Sequence, residues 1–257
     1  MKKYKGYLID LDGTMYLGKD PIDGAKEFVD GLHKKSIPYL FVTNNSSATQ
    51  DKVSRKLNQF GIKSTPDNVI TTSLATAKYI REKKPNARCY VIGEEGIMQA
   101  LKNEGLTVAD DEDCDFVIVG IDRQVTYEKF AKACLNVRNG AEFISTNSDV
   151  SIPTERGMLP GNGSLTSVVS VSTGVDPVFI GKPESVIMEE ALEMIGLSRE
   201  EALMVGDNYL TDIQAGINAQ IDTLMVFTGV TPFEKLEGLP EPPTYYVHNL
   251  KEWMDNI

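Results

Sequence analysis

Two pairs of carboxylates each follow a short apolar run in this sequence. Asp10 and Asp12 stand one residue apart directly after such a run, and Asp207 and Asp212 follow another. Carboxylate oxygens are the ligands that Mg²⁺ prefers, and this ion keeps sites for water and phosphate oxygens as well. Taken singly, each group also suits a turn or a helix N-cap, where Asp is common. The four carboxylates therefore indicate either a magnesium site or ordinary turns and caps.

Two further polar clusters also directly follow short apolar runs, as the two carboxylate pairs do. The segment 43–46, Thr-Asn-Asn-Ser, follows the apolar run 39–42, and the segment 181–183, Gly-Lys-Pro, follows the run 178–180. In an open parallel sheet, ligands bind beyond the carboxyl ends of the strands. Four polar clusters at four predicted strand ends favour one shared site over four unrelated turns.

The elements between these clusters predict the fold. The apolar runs are short and show no alternation, which is typical of parallel strands covered on both faces. Segments 22–32, 53–60 and 186–195 place their apolar residues on one helical face. Strands that alternate with helices imply crossover connections and an α/β fold with a doubly wound parallel sheet.

The middle of the chain contains a second set of alternating elements. We therefore predict a core domain formed by residues 1–84 and 178–257, with an inserted α/β domain at 85–177. The predicted elements of the insertion are strands at 89–92, 116–119 and 143–145, and helices at 97–103, 127–137 and 164–172.

Composition excludes several classes of partner. The chain has 257 residues, 41% of them hydrophobic and 25% charged, with a net charge of −11. Such a negative charge argues against nucleic-acid binding, because phosphate backbones require basic surfaces. No apolar run approaches the roughly 20 residues of a membrane helix. The first apolar run is too short for a signal peptide, so we expect a cytoplasmic protein without membrane or nucleic-acid partners. A homo-oligomer remains open.

The four polar clusters, in order, resemble the signature motifs of the haloacid dehalogenase (HAD) superfamily. The motifs are Asp10-Leu11-Asp12-Gly13-Thr14, Thr43-Asn44, Lys182-Pro183 and Gly206-Asp207 with Asp212. The segment 146–164 is similar to the NagD-like phosphatase branch (subclass IIA). Members of that branch carry a C2-type α/β cap between the second and third motifs, where the insertion lies here. The resemblance implies a Rossmann-like core with an inserted cap domain.

The resemblance also implies a role for each motif residue. Asp10 would be the nucleophile that forms an aspartyl-phosphate, and Asp12 the general acid and base. Mg²⁺ would be held by Asp10, the backbone carbonyl of Asp12, and Asp207, with Asp212 in support. The residues expected to bind the phosphoryl group are Thr43, Asn44, Lys182 and Asn208. The cap residues expected to select the substrate are Asn147, Asp149 and Arg156.

The predicted activity is Mg²⁺-dependent hydrolysis of small phosphomonoesters. Acid sugar phosphates or other sugar phosphates are favoured, and nucleoside monophosphates are also considered. Two alternatives stay open: a phosphotransferase or mutase that uses the same intermediate, and a non-catalytic regulatory module. The segment 147–163 is rich in Gly, Pro and polar residues, which is typical of a loop that faces a ligand, and Arg156 is its only cation. A guanidinium there suits capture of a substrate carboxylate, although a solvent-exposed surface residue is the simpler interpretation.

Overall fold

The computed structural model describes residues 2–257, which form two compact units. The first unit comprises the chain up to Thr43, Gln50–Ile70 and Lys182–Ile257, and the second comprises Asn44–Thr49 and Thr71–Gly181. The second unit is therefore wider than the predicted 85–177.

The described strands, in chain order, are β1 (Gly6–Ile9), β2 (Tyr16–Leu17), β3 (Asp20–Pro21), β4 (Tyr39–Thr43), β5 (Val69–Thr71), β6 (Arg88–Ile92), β7 (Thr107–Val108), β8 (Phe116–Val119), β9 (Glu142–Ser145), β10 (Ser151–Thr154), β11 (Gly157–Pro160), β12 (Val178–Phe179), β13 (Ala202–Gly206), β14 (Asp222–Val226) and β15 (Tyr245–Val247).

The described α-helices are α1 (Ala25–Lys34), α2 (Gln50–Gln59), α3 (Thr72–Lys83), α4 (Glu95–Asn103), α5 (Tyr127–Arg138), α6 (Asn162–Thr173), α7 (Ser185–Ile195) and α8 (Gln214–Asn218). One π-helical turn, Tyr209–Ile213, leads into α8. Short 3₁₀ segments cover Pro66–Asn68, Arg199–Glu201, Phe233–Gly238 and Leu250–Asn256. Within residues 2–257, the helices are all too short or too polar to cross a membrane.

The main sheet of the first unit has the strand order β15-β14-β13-β1-β4-β5. Strand β1 lies between β13 and β4, parallel to both, so Ile9 pairs with Val205 on one side and Phe41 on the other. Every residue of β1 and β13 is buried, which explains their unbroken apolar sequences. From β1 the chain adds β4 and β5 on one side, and later β13, β14 and β15 on the other. This confirms the predicted doubly wound sheet.

The second unit has its own five-stranded sheet, in the order β12-β9-β8-β6-β7, with parallel pairing throughout. Its core joins Tyr90, Val117 and Phe143 from the sheet to Val137 of α5 and Val169 of α6. Helix α3 packs against α4, which explains why residues 71–84 belong to this unit. The α/β character predicted for the insertion is confirmed.

Two local predictions were wrong. The run at 178–180 was expected to be a strand of the first sheet, but Val178 pairs with Ile144 of β9 in the second sheet. A two-residue strand carries too little pattern to indicate which sheet it joins. The segment 147–163 was read as a loop, but it contains the antiparallel hairpin β10–β11. Its Ser, Pro, Thr and Gly residues are uncommon in strands, and this composition hid the hairpin.

Candidate active site

The turn after β1 places its polar residues at the edge of the first sheet that is formed by the carboxyl ends of its strands. The backbone N–H of Asp10 donates to the carbonyl of Val205 at 2.8 Å, which extends the pairing of β1 with β13 by one residue. Gly13 has a φ of 98°, and its N–H donates to the carbonyl of Tyr16 at 2.8 Å, which closes the turn. Asp207 directly follows β13. Because β1 and β13 are parallel neighbours, Asp10 and Asp207 reach the same edge.

Lys182 is a buried cation that contacts Asp10, Val42 and Asp212. Its side chain is 2% exposed. The ammonium donates to Oδ1 of Asp10 at 2.5 Å and to the carbonyl of Val42 at 3.0 Å, and it pairs with Oδ1 of Asp212 at 2.8 Å. These contacts can occupy the three N–H donors of an ammonium. The buried charge is therefore fully paired, and it fixes one oxygen of the Asp10 carboxylate.

The other two carboxylates are held by backbone and hydroxyl donors. Asp207 is fully buried and accepts from the Thr14 hydroxyl at 3.0 Å and from the Val230 N–H at 2.7 Å. Asp212 accepts from the Asn208 N–H at 3.0 Å. Both side chains are thus fixed before any ligand binds.

Two glycines allow the chain to pass close to Asp207. A Cβ atom added at either Gly13 or Gly229 would collide with its carboxylate. The two loops also contact each other directly, because the Thr228 hydroxyl donates to the carbonyl of Gly13 at 2.6 Å. Only glycine leaves the space that this carboxylate occupies.

The three buried carboxylates outnumber the one ammonium. Burial, with repulsion from Asp212, raises the pKa of Asp10 well above its ordinary value, against the opposing effect of Lys182. Burial raises the pKa of Asp207 to about 6, and Asp212 adds to this effect. Burial alone would lower the pKa of Lys182, but Asp10 and Asp212 raise it above its ordinary value. The cluster therefore retains negative charge that a further cation can stabilise.

The donor set fits a divalent cation. Asp10, Asp207 and Asp212 each offer a carboxylate oxygen, and these oxygens lie within 4.8 Å of one another. A site made only of oxygen donors suits Mg²⁺. The predicted ligands Asp10 and Asp207 belong to this cluster, and Asp212, predicted in a supporting role, belongs to it as well. The Asp12 side chain does not, and its backbone carbonyl stays a predicted ligand.

Asp12 is more exposed than the cluster. Partial loss of water raises the pKa of Asp12, and the Lys56 ammonium and the Gly18 N–H act in the opposite direction. A carboxyl group of this kind is suited to carry a proton in one step and release it in another.

Thr43 and Asn208 also lie at ends of strands in the first sheet. Thr43 is the last residue of β4, the neighbour of β1. Asn208 caps the π-helical turn, where its side-chain oxygen accepts from the Leu210 N–H at 3.1 Å.

The predicted residues of the second unit separate into two groups. The Asn147 amide donates to the carbonyl of Asn44 at 2.8 Å, and the Asn44 amide lies 3.3 Å from an oxygen of Asp149. Arg156, in contrast, is exposed in the turn between β10 and β11. Its backbone N–H donates to the Thr154 hydroxyl at 3.1 Å, and its guanidinium has no ion pair within residues 2–257. The structure thus brings Asn44, Asn147 and Asp149 together, without Arg156.

Sequence reasoning missed the loop after β14. Thr228, Gly229 and Val230 hold the Gly13 turn and Asp207, yet no role was predicted for them. The signal was available, because these residues follow an apolar run, as the four predicted clusters do. Tyr16 and Lys56 were also missed. They meet only through folding, and no local pattern marks them.

Comparison with known families agrees with this geometry. Residues 7–107 match the model of the haloacid dehalogenase-like hydrolases, and residues 179–253 match a second HAD-hydrolase-like model. The chain belongs to the haloacid dehalogenase superfamily. The unmatched middle falls within the second unit.

Curated relatives and a solved structure indicate the branch of the superfamily to which the chain belongs. The chain is 61% identical to the 5'-nucleotidase YutF of Bacillus subtilis (strain 168), over 100% of both chains. It is 57% identical to the acid sugar phosphatase of Staphylococcus aureus (strain USA300), over 98% of this chain and 97% of that protein. The p-nitrophenyl phosphatase structure from Archaeoglobus fulgidus matches with a TM-score of 0.94 and 33% identity, over 100% of both chains. The chain is a phosphoric monoester hydrolase of the NagD-like branch.

Proposed function

We propose that this HAD hydrolase is an Mg²⁺-dependent phosphatase of small phosphomonoesters that transiently phosphorylates Asp10. One observation carries the proposal. Lys182 holds Oδ1 of Asp10, whereas Oδ2 accepts no hydrogen bond from residues 2–257. The side chain keeps 11% of its surface exposed. A carboxylate with one fixed and one accessible oxygen is suited to attack phosphorus.

The first proposed step is transfer to the enzyme. Oδ2 of Asp10 forms a bond to phosphorus while the bond from phosphorus to the leaving oxygen breaks, and Asp12 gives its proton to that oxygen. The raised pKa of Asp12 supports this role, since partial burial favours the protonated form. Thr43 and Asn208 would hold the phosphoryl oxygens, and the positive charge of Lys182 would stabilise the negative charge that develops on them.

The second proposed step regenerates the enzyme. Asp12, now a carboxylate, takes a proton from water, whose oxygen bonds to phosphorus as the bond to Asp10 breaks. The Asp10 carboxylate then returns to its ion pair with Lys182. Release of phosphate without an acceptor alcohol distinguishes this reaction from phosphotransfer to a second substrate.

The proposed metal site consists of Asp10 and Asp207, with the backbone carbonyl of Asp12 and support from Asp212. HAD hydrolases generally use a divalent metal, and the raised pKa values of Asp10 and Asp207 indicate a site that favours an added cation. When bound, Mg²⁺ would screen the repulsion between Asp10 and an anionic substrate.

Acid sugar phosphates and other sugar phosphates are the proposed substrate class, with nucleoside monophosphates as a second candidate. The names of the two curated relatives, an acid sugar phosphatase and a 5'-nucleotidase, support this range. Asn44 as a phosphate ligand, and Asn147, Asp149 and Arg156 as cap residues that select substrates, remain proposals from the sequence.

Phosphate release from p-nitrophenyl phosphate tests the proposal. We expect turnover with Mg²⁺, loss of turnover with excess EDTA, and recovery when Mg²⁺ is restored. Asp207→Asn should raise the Mg²⁺ concentration needed for half-maximal activity. The matched control is Asp222→Asn. Asp222 is the first residue of β14, at the end of the strand away from Asp207, and it pairs with Lys2, so the change should leave that concentration unchanged. Full activity in EDTA would remove the metal from the proposal.

A further inference from the structure

Lys56 is a cation beside the turn of the first carboxylate pair. It lies on α2 and is partly buried, with its Nζ atom 3.7 Å from the centre of the Tyr16 ring. Within residues 2–257, its ammonium forms neither an ion pair nor a hydrogen bond, whereas its neighbour Arg55 pairs with Asp51 at 2.7 Å. Partly burying an ammonium that makes no direct ion pair costs free energy, and a bound anion would offset that cost.

The position of Lys56 is fixed relative to the Asp12 turn. Tyr16 forms a β-bridge with Asp12, and its ring is 7% exposed. The same ring packs against Phe60 with centroids 5.4 Å apart. Lys56 and Phe60 are four residues apart, so they project from the same side of this helical region and hold the ring together. Tyr16 therefore connects the catalytic turn to the Lys56 ammonium through direct contacts.

The pKa of Lys56 is consistent with its proximity to the Asp12 carboxylate. Partial burial lowers the pKa of Lys56, and the Asp12 carboxylate acts in the opposite direction. In the proposed function, Asp12 gives its proton to the leaving oxygen of the substrate. The organic group attached to that oxygen must therefore lie near Asp12. Lys56 is a partly buried cation close to Asp12.

We propose that Lys56 is a specificity-determining residue that binds an anionic group on the leaving alcohol, and so favours phosphomonoesters that carry a carboxylate. The inference rests on the proposed function, because it takes Asp12 as the proton donor to the leaving group. It assigns part of the selectivity for acidic substrates to the first unit, in addition to any contribution from the second. A cation–π contact orients the ammonium without neutralising it, which leaves its charge available to the ligand.

The test compares 3-phosphoglycerate with glycerol 3-phosphate, which differ only in a carboxylate against a hydroxymethyl group. Each is measured as a competitive inhibitor of p-nitrophenyl phosphate hydrolysis, so the result does not depend on its own turnover. We expect wild-type protein to bind 3-phosphoglycerate more tightly. Lys56→Met should raise its inhibition constant about tenfold, as expected for loss of a charge-assisted contact, and that of glycerol 3-phosphate by less than about twofold.

Two further variants separate charge from packing. Lys56→Arg keeps the cation and should restore most of the preference for 3-phosphoglycerate. Lys52→Met removes an exposed lysine one helical turn earlier and should leave the ratio of the two constants unchanged.

Two outcomes overturn the inference: an unchanged ratio of the two inhibition constants in Lys56→Met, whether both rise equally or neither changes, or no wild-type preference for 3-phosphoglycerate. An equal rise would show that Lys56 only packs Tyr16. Failure of the proposed function is a different result, namely that wild-type protein releases no Asp10-dependent phosphate from p-nitrophenyl phosphate.

Discussion

The edge of the first sheet and the β10–β11 hairpin differ in how firmly the protein holds their functional side chains. Asp207 is fully buried and receives two hydrogen bonds, and glycines at two positions make room for it. Arg156 is exposed in a turn, and only its backbone is fixed. Relatives with 61% and 57% identity to the chain are named for different substrates. We infer that the tightly packed residues serve the proposed chemistry, whereas the loosely held residues bear on the choice of substrate.

Replacing the proposed nucleophile should produce the largest effect. Asp10→Asn keeps an oxygen that can accept from Lys182 but removes the nucleophilic carboxylate, so we expect kcat to fall by at least about a thousandfold. Thermal unfolding should change little. Substantial residual turnover, in a preparation free of wild-type enzyme and of variant that has reverted by deamidation, would mean that the buried edge of the sheet does not supply the nucleophile.

The buried cation should matter far more for stability than a cation whose partner is exposed to solvent. Lys182→Met leaves Asp10 and Asp212 buried without their partner, and we expect the free energy of unfolding to fall by about 3–5 kcal/mol in urea titrations. The control is Lys132→Met in the second unit, whose partner Asp110 has a side chain that is 82% exposed. The free energy of unfolding of Lys132→Met should be too close to that of the wild type to distinguish the two. Similar losses in both variants would contradict the contrast between the two regions.

Asp12→Asn should give an effect that depends on the leaving group. An activated aryl phosphate leaves without a proton, so phosphorylation of Asp10 should survive better than hydrolysis of the phosphoenzyme. Rapid-mixing measurements with p-nitrophenyl phosphate should show a burst of product and then a steady rate about a hundredfold below wild type. An alkyl phosphate should show no burst. Equal losses on both substrates without a burst would exclude Asp12 as the acid and base.

The smallest expected effect concerns the hairpin. If Arg156 binds a substrate carboxylate, Arg156→Ala should raise KM for acidic sugar phosphates by about threefold and leave KM for p-nitrophenyl phosphate unchanged. The neighbouring Glu155→Ala is a matched control in the same turn. No difference between the two substrates would identify Arg156 as surface charge, and selection of acidic substrates would then rest on Lys56 or other residues.

Particular residues show why the sequence predicted some features and not others. Asp10 and Asp207 follow strands, and parallel neighbours necessarily bring their carboxyl ends to one edge, so their meeting was predictable. Lys182 was assigned to the third motif as following a strand of the first sheet, but the strand before it belongs to the other sheet. Tyr16 and Lys56 lie far apart in sequence, and only the packing of α2 against the Asp12 turn brings them together. Contacts of that kind leave no local periodicity.

The central place of β1 has a consequence for how the protein loses function on heating. A strand that is paired on both sides opens only when the cooperative unit that contains it unfolds. Edge strands, which are paired on one side only, and turns fray independently. The Asp10 N–H, bonded to Val205, belongs to this slowly exchanging interior. The proposed nucleophile, Asp10, should therefore keep its alignment until the first unit unfolds as a whole. Hydrogen exchange would detect earlier opening at the β10–β11 hairpin, and inactivation should follow global unfolding of the first unit.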